Sequence, residues 1–186
     1  MPRLFTAIPI PSQLATQLLA LVPESPDLRL VPPQNLHLTL HFLGEVSAPR
    51  TVELAEALAE IPVPRVSVQL STGGMFCDAA GAGVLWVGLK SAEGVQMLRD
   101  LQQRQRDVLQ RMGLRCEDRE WQPHVTVARY RQANESLLQQ FLLSCRDLAL
   151  PAEIGECTLW ESSAGPGHST YTARQHYQSQ SQSSAP

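Results

Sequence analysis

Two short segments of the chain repeat the pattern His-x-Thr, with an apolar residue between the two polar ones. In the first segment His37, Thr39 and His41 alternate with leucines, and in the second His124 and Thr126 alternate with valines. Side chains two residues apart on a β-strand lie on the same face of the sheet. Each segment therefore predicts a strand with one apolar face and one face that carries histidine and threonine.

This pairing suits general acid and base catalysis at a phosphodiester. Unperturbed imidazole titrates near a pKa of ~6.5, so one histidine can accept a proton while another donates one at neutral pH. A threonine hydroxyl about 6 to 7 Å along the same strand face can donate to a nonbridging phosphate oxygen. A single histidine on a strand is more often structural, but two matching units favour His37 and His124 as catalytic, with Thr39 and Thr126 binding phosphate.

Two further residues near these motifs are candidates for substrate binding. Arg129 would add a fixed positive charge for the phosphate, but strict alternation places it with Val125 and Val127 on the apolar face, so this role requires a bulge or a twist. His41 is predicted to line the groove on the same face as His37; the alternative is an exposed residue without a role. The same alternation places Phe42 on the apolar face.

Neither the histidines nor the cysteines form a recognisable metal motif. His37 and His41 would be about 13 Å apart on a strand, too far for one ion, and no Asp or Glu lies inside the motif. The four cysteines contain no Cys-x-x-Cys pair, which favours reduced thiols in the core. We therefore expect neither a metal nor another cofactor.

The composition bounds the class of protein and its partners. The chain has 186 residues, 43% hydrophobic and 18% charged, which is ordinary for one soluble domain and excludes collagen-like, disordered and coiled-coil classes. A net charge of -3 gives no global positive field for a long polyanion, so any phosphate must be bound locally. No apolar run approaches the ~18 residues of a membrane span, and no signal peptide is evident, so we expect no membrane partner and a cytoplasmic location.

Hydrophobic periodicity predicts an α+β fold with largely antiparallel sheets, because strand pairs occur without regular β-α alternation. The two His-x-Thr units lie 87 residues apart, which suggests a duplicated unit. We expect one bilobal domain over residues 1–177 and a disordered Gln/Ser-rich tail over 178–186. The predicted helices cover residues 12–22, 51–61, 95–112 and 137–145; the predicted strands cover 4–10, 28–31, 36–43, 66–70, 84–89, 124–130, 154–160 and 170–177.

The two motifs, HLTL from His37 and HVTV from His124, resemble the paired signatures of the 2H phosphoesterase superfamily. Over most of its length, to about Tyr177, the chain resembles the RNA 2′,3′-cyclic phosphodiesterases, also called 2′-5′ RNA ligases. Residues 3–8 resemble the opening strand of that family and residues 84–86 its central strand. Trp121 stands where similar chains more often have phenylalanine.

The resemblance implies a bilobal duplicated fold in which two largely antiparallel sheets flank a central cleft, with helices on the outside. It implies metal-independent opening of 2′,3′-cyclic phosphates, at RNA ends or in small cyclic nucleotides, to 2′-phosphomonoesters. His37 would be the general acid and His124 the general base, while Thr39, Thr126 and Arg129 fall on phosphate-binding positions. Tyr171 would stack on a base or serve in packing.

Two alternatives to hydrolysis stay open at this point. A 2′-5′ RNA ligase would use the same two histidines in the reverse direction. An RNA-end binding module would hold phosphate without turnover, although binding alone needs permanent positive charge rather than groups that titrate near neutrality. We expect the protein to be a monomer.

Overall fold

The fold is α+β, as predicted, and is built from four α-helices and an antiparallel sheet in the part of the chain that the structure describes. The structure is a computed structural model that describes residues 1–117, 120–132, 134–165 and 169–179. The helices are α1 Ser12–Leu19, α2 Ala48–Ala59, α3 Ala92–Arg111 and α4 Glu135–Ser144, and a 3₁₀ turn covers Pro33–Asn35. The strands are β1 Arg3–Pro9, β2 Leu28–Leu30, β3 His37–Glu45, β4 Val66–Cys77, β5 Gly83–Lys90, β6 His124–Tyr130, β7 Leu150–Ile154, β8 Glu156–Ala164 and β9 Ser169–Gln178.

Two strands differ most from the sequence prediction. Strand β4 continues through Gly73 and Gly74 to Cys77. The glycine at position 74 serves packing, because the Trp86 ring covers the strand there and a Cβ would clash with that ring. Strand β7 was not predicted, since it contains Pro151. It lies at the edge of the sheet, where proline is tolerated.

The sheet consists of two halves joined at the histidine strands. The strand order is β7-β4-β5-β6-β3-β1-β8-β9, and β2 also pairs with β6. Between β3 and β6, one registered pair is present in the described chain, Leu38 opposite Val125. The first half therefore contains β3, β1, β8 and β9, and the second contains β7, β4, β5, β6 and β2. The two antiparallel sheets expected from the resemblance are therefore two halves of one nine-stranded sheet.

Apart from β2, the chain passes from the first half of the sheet to the second and then returns to the first. The carboxyl-terminal β8 and β9 extend the first half beside β1, and β4 pairs with β5 and β7 in the second. This interleaving supports the predicted single unit over residues 1–177, which stays a prediction. Gln178 belongs to β9, and the Ser179 amide donates to the Gly155 carbonyl at 2.7 Å. The rest of the expected tail, residues 180–186, lies outside the described residues.

Helix α3 packs against both halves because its apolar residues follow helical spacing. Leu98, Leu101 and Leu109 are fully buried, and each such side chain contributes roughly 1.5 to 3 kcal/mol on burial. The hydroxyl of Ser91 accepts from the Gly94 amide and caps the first turn. The helix ends before Gly113, whose φ of +64° favours glycine.

The two histidine strands have an extra residue at the same place relative to the histidine. The β1–β3 register passes from Ala7–Thr39 to Thr6–His41 and omits Leu40. The β5–β6 register passes from Trp86–Thr126 to Leu85–Ala128 and omits Val127. Leu40 and Val127 both lie three residues after their histidine, so the duplicated units share a β-bulge.

These bulges shift the alternation by one residue in the part of each strand that follows them; in β3 a second register shift occurs after Phe42. In β6 this buries Ala128 and exposes Arg129, which provides the bulge that the predicted role of Arg129 required. In β3 it buries His41 and leaves Phe42 50% exposed. The prediction that Phe42 lies on the apolar face is therefore wrong, as is the prediction that His41 shares the face of His37.

Candidate active site

A cavity of about 520 Å³ lies where β3 and β6 meet. Residues from both halves of the sheet line it, and among them are all seven residues that the sequence analysis proposed for the site. These are His37, Thr39, His41, His124, Thr126, Arg129 and Tyr171.

The register between β3 and β6 arranges the two motifs around a local twofold relationship. Leu38 and Val125 lie opposite each other with both side chains in the core. In an antiparallel pair the partner numbers run in opposite directions, so His37 is next to Thr126 and Thr39 is next to His124. The four polar groups therefore share the opposite face, and each histidine has a threonine from the other motif beside it.

The same hydrogen bond orients both histidines. The Nδ1 atom of His37 lies 2.7 Å from the Asn35 carbonyl oxygen, and Nδ1 of His124 lies 2.7 Å from the Gln122 carbonyl oxygen. A carbonyl oxygen only accepts, so Nδ1 carries the hydrogen in each ring. Proton exchange with a substrate then falls to Nε2 in both residues.

Aromatic side chains hold each imidazole ring from the sides. The centroid of the His37 ring lies 5.0 Å from that of Phe5 and 5.3 Å from that of Tyr171, which meets it edge-on. The ring of His124 lies 5.1 Å from Phe76 and 5.8 Å from Trp86. Tyr171 thus packs against His37, and its stacking on a base stays a prediction.

Burial lowers the pKa of His37 below its ordinary value, and the positive charges of Arg129 and His124 lower it further, against the opposing effect of the hydrogen bond to Asn35. Without a ligand, the neutral ring is therefore favoured. A phosphate anion bound near Arg129 would offset the effect of its charge and favour the protonated ring.

His41 anchors helix α3 to the sheet. Its side chain is only 4% exposed, and Nε2 donates to the Gln102 carbonyl oxygen at 2.8 Å. Burial lowers its pKa. His41 is also one of the residues that line the cavity, and its predicted contact with substrate stays a prediction.

Trp121 links the two halves beside the histidines, a role that sequence reasoning missed. Its indole Nε1 donates to the main-chain carbonyl of Thr39 at 2.9 Å. The guanidinium of Arg99 lies 5.9 Å from the centre of the indole ring and donates to the Trp121 carbonyl at 3.2 Å. The segment that leads into His124 is thus fixed to the strand that carries His37.

Two exposed aromatic side chains at the cavity also escaped the sequence analysis. Phe42 is 50% exposed and Phe76 is 40% exposed, and both line the cavity. A sequence signal for Phe42 exists: it follows His37 by five residues, as Arg129 follows His124. The bulge inferred for Arg129 would have placed Phe42 in the cleft had it been applied to both motifs.

The described chain has neither a metal-binding cluster nor a membrane-spanning helix. No group of three or more His, Cys, Asp or Glu side chains in residues 1–117, 120–132, 134–165 and 169–179 is arranged to hold a metal ion. Among the same residues, no helix has the length and hydropathy needed to cross a membrane.

The sequence and the fold of the chain are similar to those of known phosphoesterases. Residues 8–86 and 88–171 match the family model described as LigT like Phosphoesterase. The RNA 2′,3′-cyclic phosphodiesterase of Escherichia coli is 30% identical over 176 residues, which cover 91% of this chain and 92% of that protein. The protein of the same name from Aeropyrum pernix is 37% identical over 107 residues, which span 59% of its length and 57% of this chain.

Solved structures show the same fold. The crystal structure of E. coli LigT in apo form superposes with a TM-score of 0.77 at 27% identity and covers 96% of this chain and 97% of its own. The complex of E. coli LigT with 3′-AMP has a TM-score of 0.74 at 26% identity, with coverage of 96% and 99%. The duplicated fold expected from the two motifs is confirmed.

Proposed function

Because the chain belongs to the family of LigT-like phosphoesterases, which are hydrolases, we propose that it opens 2′,3′-cyclic phosphodiesters, at RNA ends or in cyclic nucleotides, to 2′-phosphomonoesters. The observation that carries this proposal is the arrangement of His37, Thr126, Thr39 and His124 on one face at the junction of the two halves. Relatives named RNA 2′,3′-cyclic phosphodiesterase support the substrate.

The phosphate binds between the two strands. The hydroxyls of Thr39 and Thr126 donate to its nonbridging oxygens from opposite sides. Arg129, brought to the cleft face by the bulge at Val127, balances the negative charge that grows as water attacks. This arrangement holds the phosphorus between the two Nε2 atoms.

Hydrolysis then requires one proton transfer on each side of the phosphorus. One imidazole takes a proton from water as the new P–O bond forms, and the other gives a proton to the ribose 3′ oxygen as the P–O3′ bond breaks. His37 is the acid and His124 is the base in this proposed reaction, as the resemblance implies. The lowered pKa of His37 opposes this assignment in the free protein, and bound phosphate beside Arg129 reduces that opposition.

The nucleobase is held by the exposed aromatic side chains at the cavity. Phe42 and Phe76 belong to different halves, and each presents a ring to the cavity beside a histidine motif. Stacking on an aromatic ring tolerates every base, because every base has a π face. We therefore expect broad base tolerance.

The proposal is tested by incubating the purified protein with 2′,3′-cyclic AMP and with a short RNA that ends in a cyclic phosphate, both in EDTA. The expected product is the 2′-phosphate, formed at the same rate with and without EDTA. A 3′-phosphate product, or activity that EDTA removes and zinc restores, would contradict the proposal. Binding without turnover would indicate an RNA-end binding module instead.

A further inference from the structure

A second pair of cationic side chains extends the cavity away from the histidines. Arg29 of β2 lies directly opposite Arg129 of β6 in the antiparallel register, so both side chains lie on the same face of the sheet. Both are exposed, and both line the cavity. Residues in such a pair have Cβ atoms about 4.5 to 5.5 Å apart, so the two guanidinium groups can reach one ligand.

Like charges placed directly opposite each other destabilise a sheet unless something compensates for them. In the described part of the chain, neither guanidinium lies within 4.0 Å of a carboxylate. Two acidic side chains, Glu117 and Glu120, lie elsewhere on the cavity wall, in the segment that follows α3, and within the described residues neither forms an ion pair with Arg29 or Arg129. The arginine pair is thus open to an anion from the cleft, and the planar guanidinium groups suit a phosphate.

The arginine pair, Arg29 and Arg129, extends too far from the threonines to bind the cyclic phosphate alone. Arg129 lies three residues beyond Thr126 on β6, about 7 to 10 Å along the strand, and Arg29 is displaced further by one strand. An RNA end that carries a 2′,3′-cyclic phosphate has no further phosphate beyond it on the 3′ side. The next phosphate available is the one on the 5′ oxygen of the same nucleoside, one ribose away.

We propose that Arg29 binds the phosphate on the 5′ oxygen of the terminal nucleoside, and that Arg129, which lies between Arg29 and the threonines, interacts with this phosphate as well as with the cyclic one. Arg29 is then a specificity residue that favours RNA ends over mononucleoside cyclic phosphates, which lack this group. The inference rests on the proposed hydrolysis and adds that the preferred substrate extends at least to the phosphate on the 5′ side of its terminal nucleoside. The same phosphate chemistry occurs in an internucleotide diester and in a 5′-phosphorylated mononucleotide.

The test compares three substrates: 2′,3′-cyclic AMP, its 5′-phosphorylated form, and the dinucleotide ApA that ends in a 2′,3′-cyclic phosphate. For Arg29→Gln, kcat/KM is expected to fall about tenfold on the dinucleotide and less than about twofold on 2′,3′-cyclic AMP. A fall on the 5′-phosphorylated mononucleotide as well means that the terminal phosphate is itself recognised. A fall on the dinucleotide alone means that the site requires the diester of an RNA strand.

Two controls separate a lost phosphate contact from a general loss of charge. Arg131→Gln removes a nearby exposed arginine that does not line the cavity, and it should leave the ratio between the substrates unchanged. Arg29→Gln should also lower the slope of log kcat/KM against log salt concentration by about one on the dinucleotide.

Equal losses on the dinucleotide and on 2′,3′-cyclic AMP, or no loss on either, would overturn the assignment of Arg29 while leaving the hydrolase intact. Failure of the wild-type protein to hydrolyse any of the three substrates would instead overturn the proposed function, and the specificity inference would fall with it.

Discussion

Leu38 of β3 lies opposite Val125 of β6, and this pair joins the two halves of the sheet in the described chain. Both side chains are buried, so the residues on either side of each point into the cleft. This one registered pair thus sets the position of two His-x-Thr motifs that are 87 residues apart in sequence. The geometry of the site depends on how firmly this junction is held.

Trp121→Phe tests the hydrogen bond that supports the junction. Phenylalanine keeps an aromatic ring but removes the Nε1 donor to the Thr39 carbonyl. One hydrogen bond contributes about 1 kcal/mol, so we expect Tm to fall by no more than roughly 2 to 4 °C. We expect kcat to fall about five- to tenfold, because the two histidine strands are held less firmly in position. Steady-state kinetics and thermal melting measure the two effects. A lower Tm with unchanged kcat would mean that Trp121 serves the fold and not the site.

Arg129→Gln is expected to shift one limb of the pH profile upward as well as lower the rate. The positive charge of Arg129 lowers the pKa of His37, so its removal stabilises the protonated ring and raises that pKa. If His37 is the acid, the basic limb of log kcat/KM against pH moves to higher pH; if His37 is the base, the acidic limb does. Arg131→Gln is the matched control. A rate loss with neither limb moved would contradict the coupling of Arg129 to His37.

Phe42→Leu is expected to weaken nucleotide binding without altering the chemical step. Base stacking on an aromatic ring contributes roughly 1 to 3 kcal/mol, so we expect KM to rise about tenfold with kcat nearly unchanged. Val52→Ala, at an exposed apolar position that does not line the cavity, is the control. A fall in kcat with constant KM would exclude base stacking as the role of Phe42.

His41→Leu should reduce stability rather than turnover. The substitution removes the donor to the Gln102 carbonyl, and a loss of about 1 kcal/mol lowers Tm by roughly 2 to 4 °C in a chain of this size. The folded-state pKa of His41 is lowered, so the wild-type advantage is complete above a pH of about 6.5 and shrinks as the pH falls below it, where the unfolded state takes up the proton. Melting curves from pH 5 to pH 8 check this. An advantage that grows toward acid would contradict the buried neutral imidazole.

The sequence was sufficient to predict the fold class, the helices and the paired histidine strands, because strict alternation and helical spacing are local patterns. The β-bulges were harder to predict, since Leu40 and Val127 do not differ from their neighbours in type. The predicted role of Arg129 already required a bulge in β6. No bulge was predicted in β3, so strict alternation placed Phe42 and His41 on the wrong faces. The hydrogen bond from Trp121 to Thr39 joins residues 82 positions apart and leaves no local pattern.

Cooperation between His37 and His124 is the central claim, and a double-mutant cycle on cyclic phosphate hydrolysis tests it most directly. His37→Ala and His124→Ala should each remove nearly all turnover, by about 10³-fold or more, and the double variant should be little worse than either, because the two imidazoles act in one step. Tm values within a few degrees of wild type would show that the variants fold. Mild losses that multiply in the double variant would contradict paired acid and base catalysis.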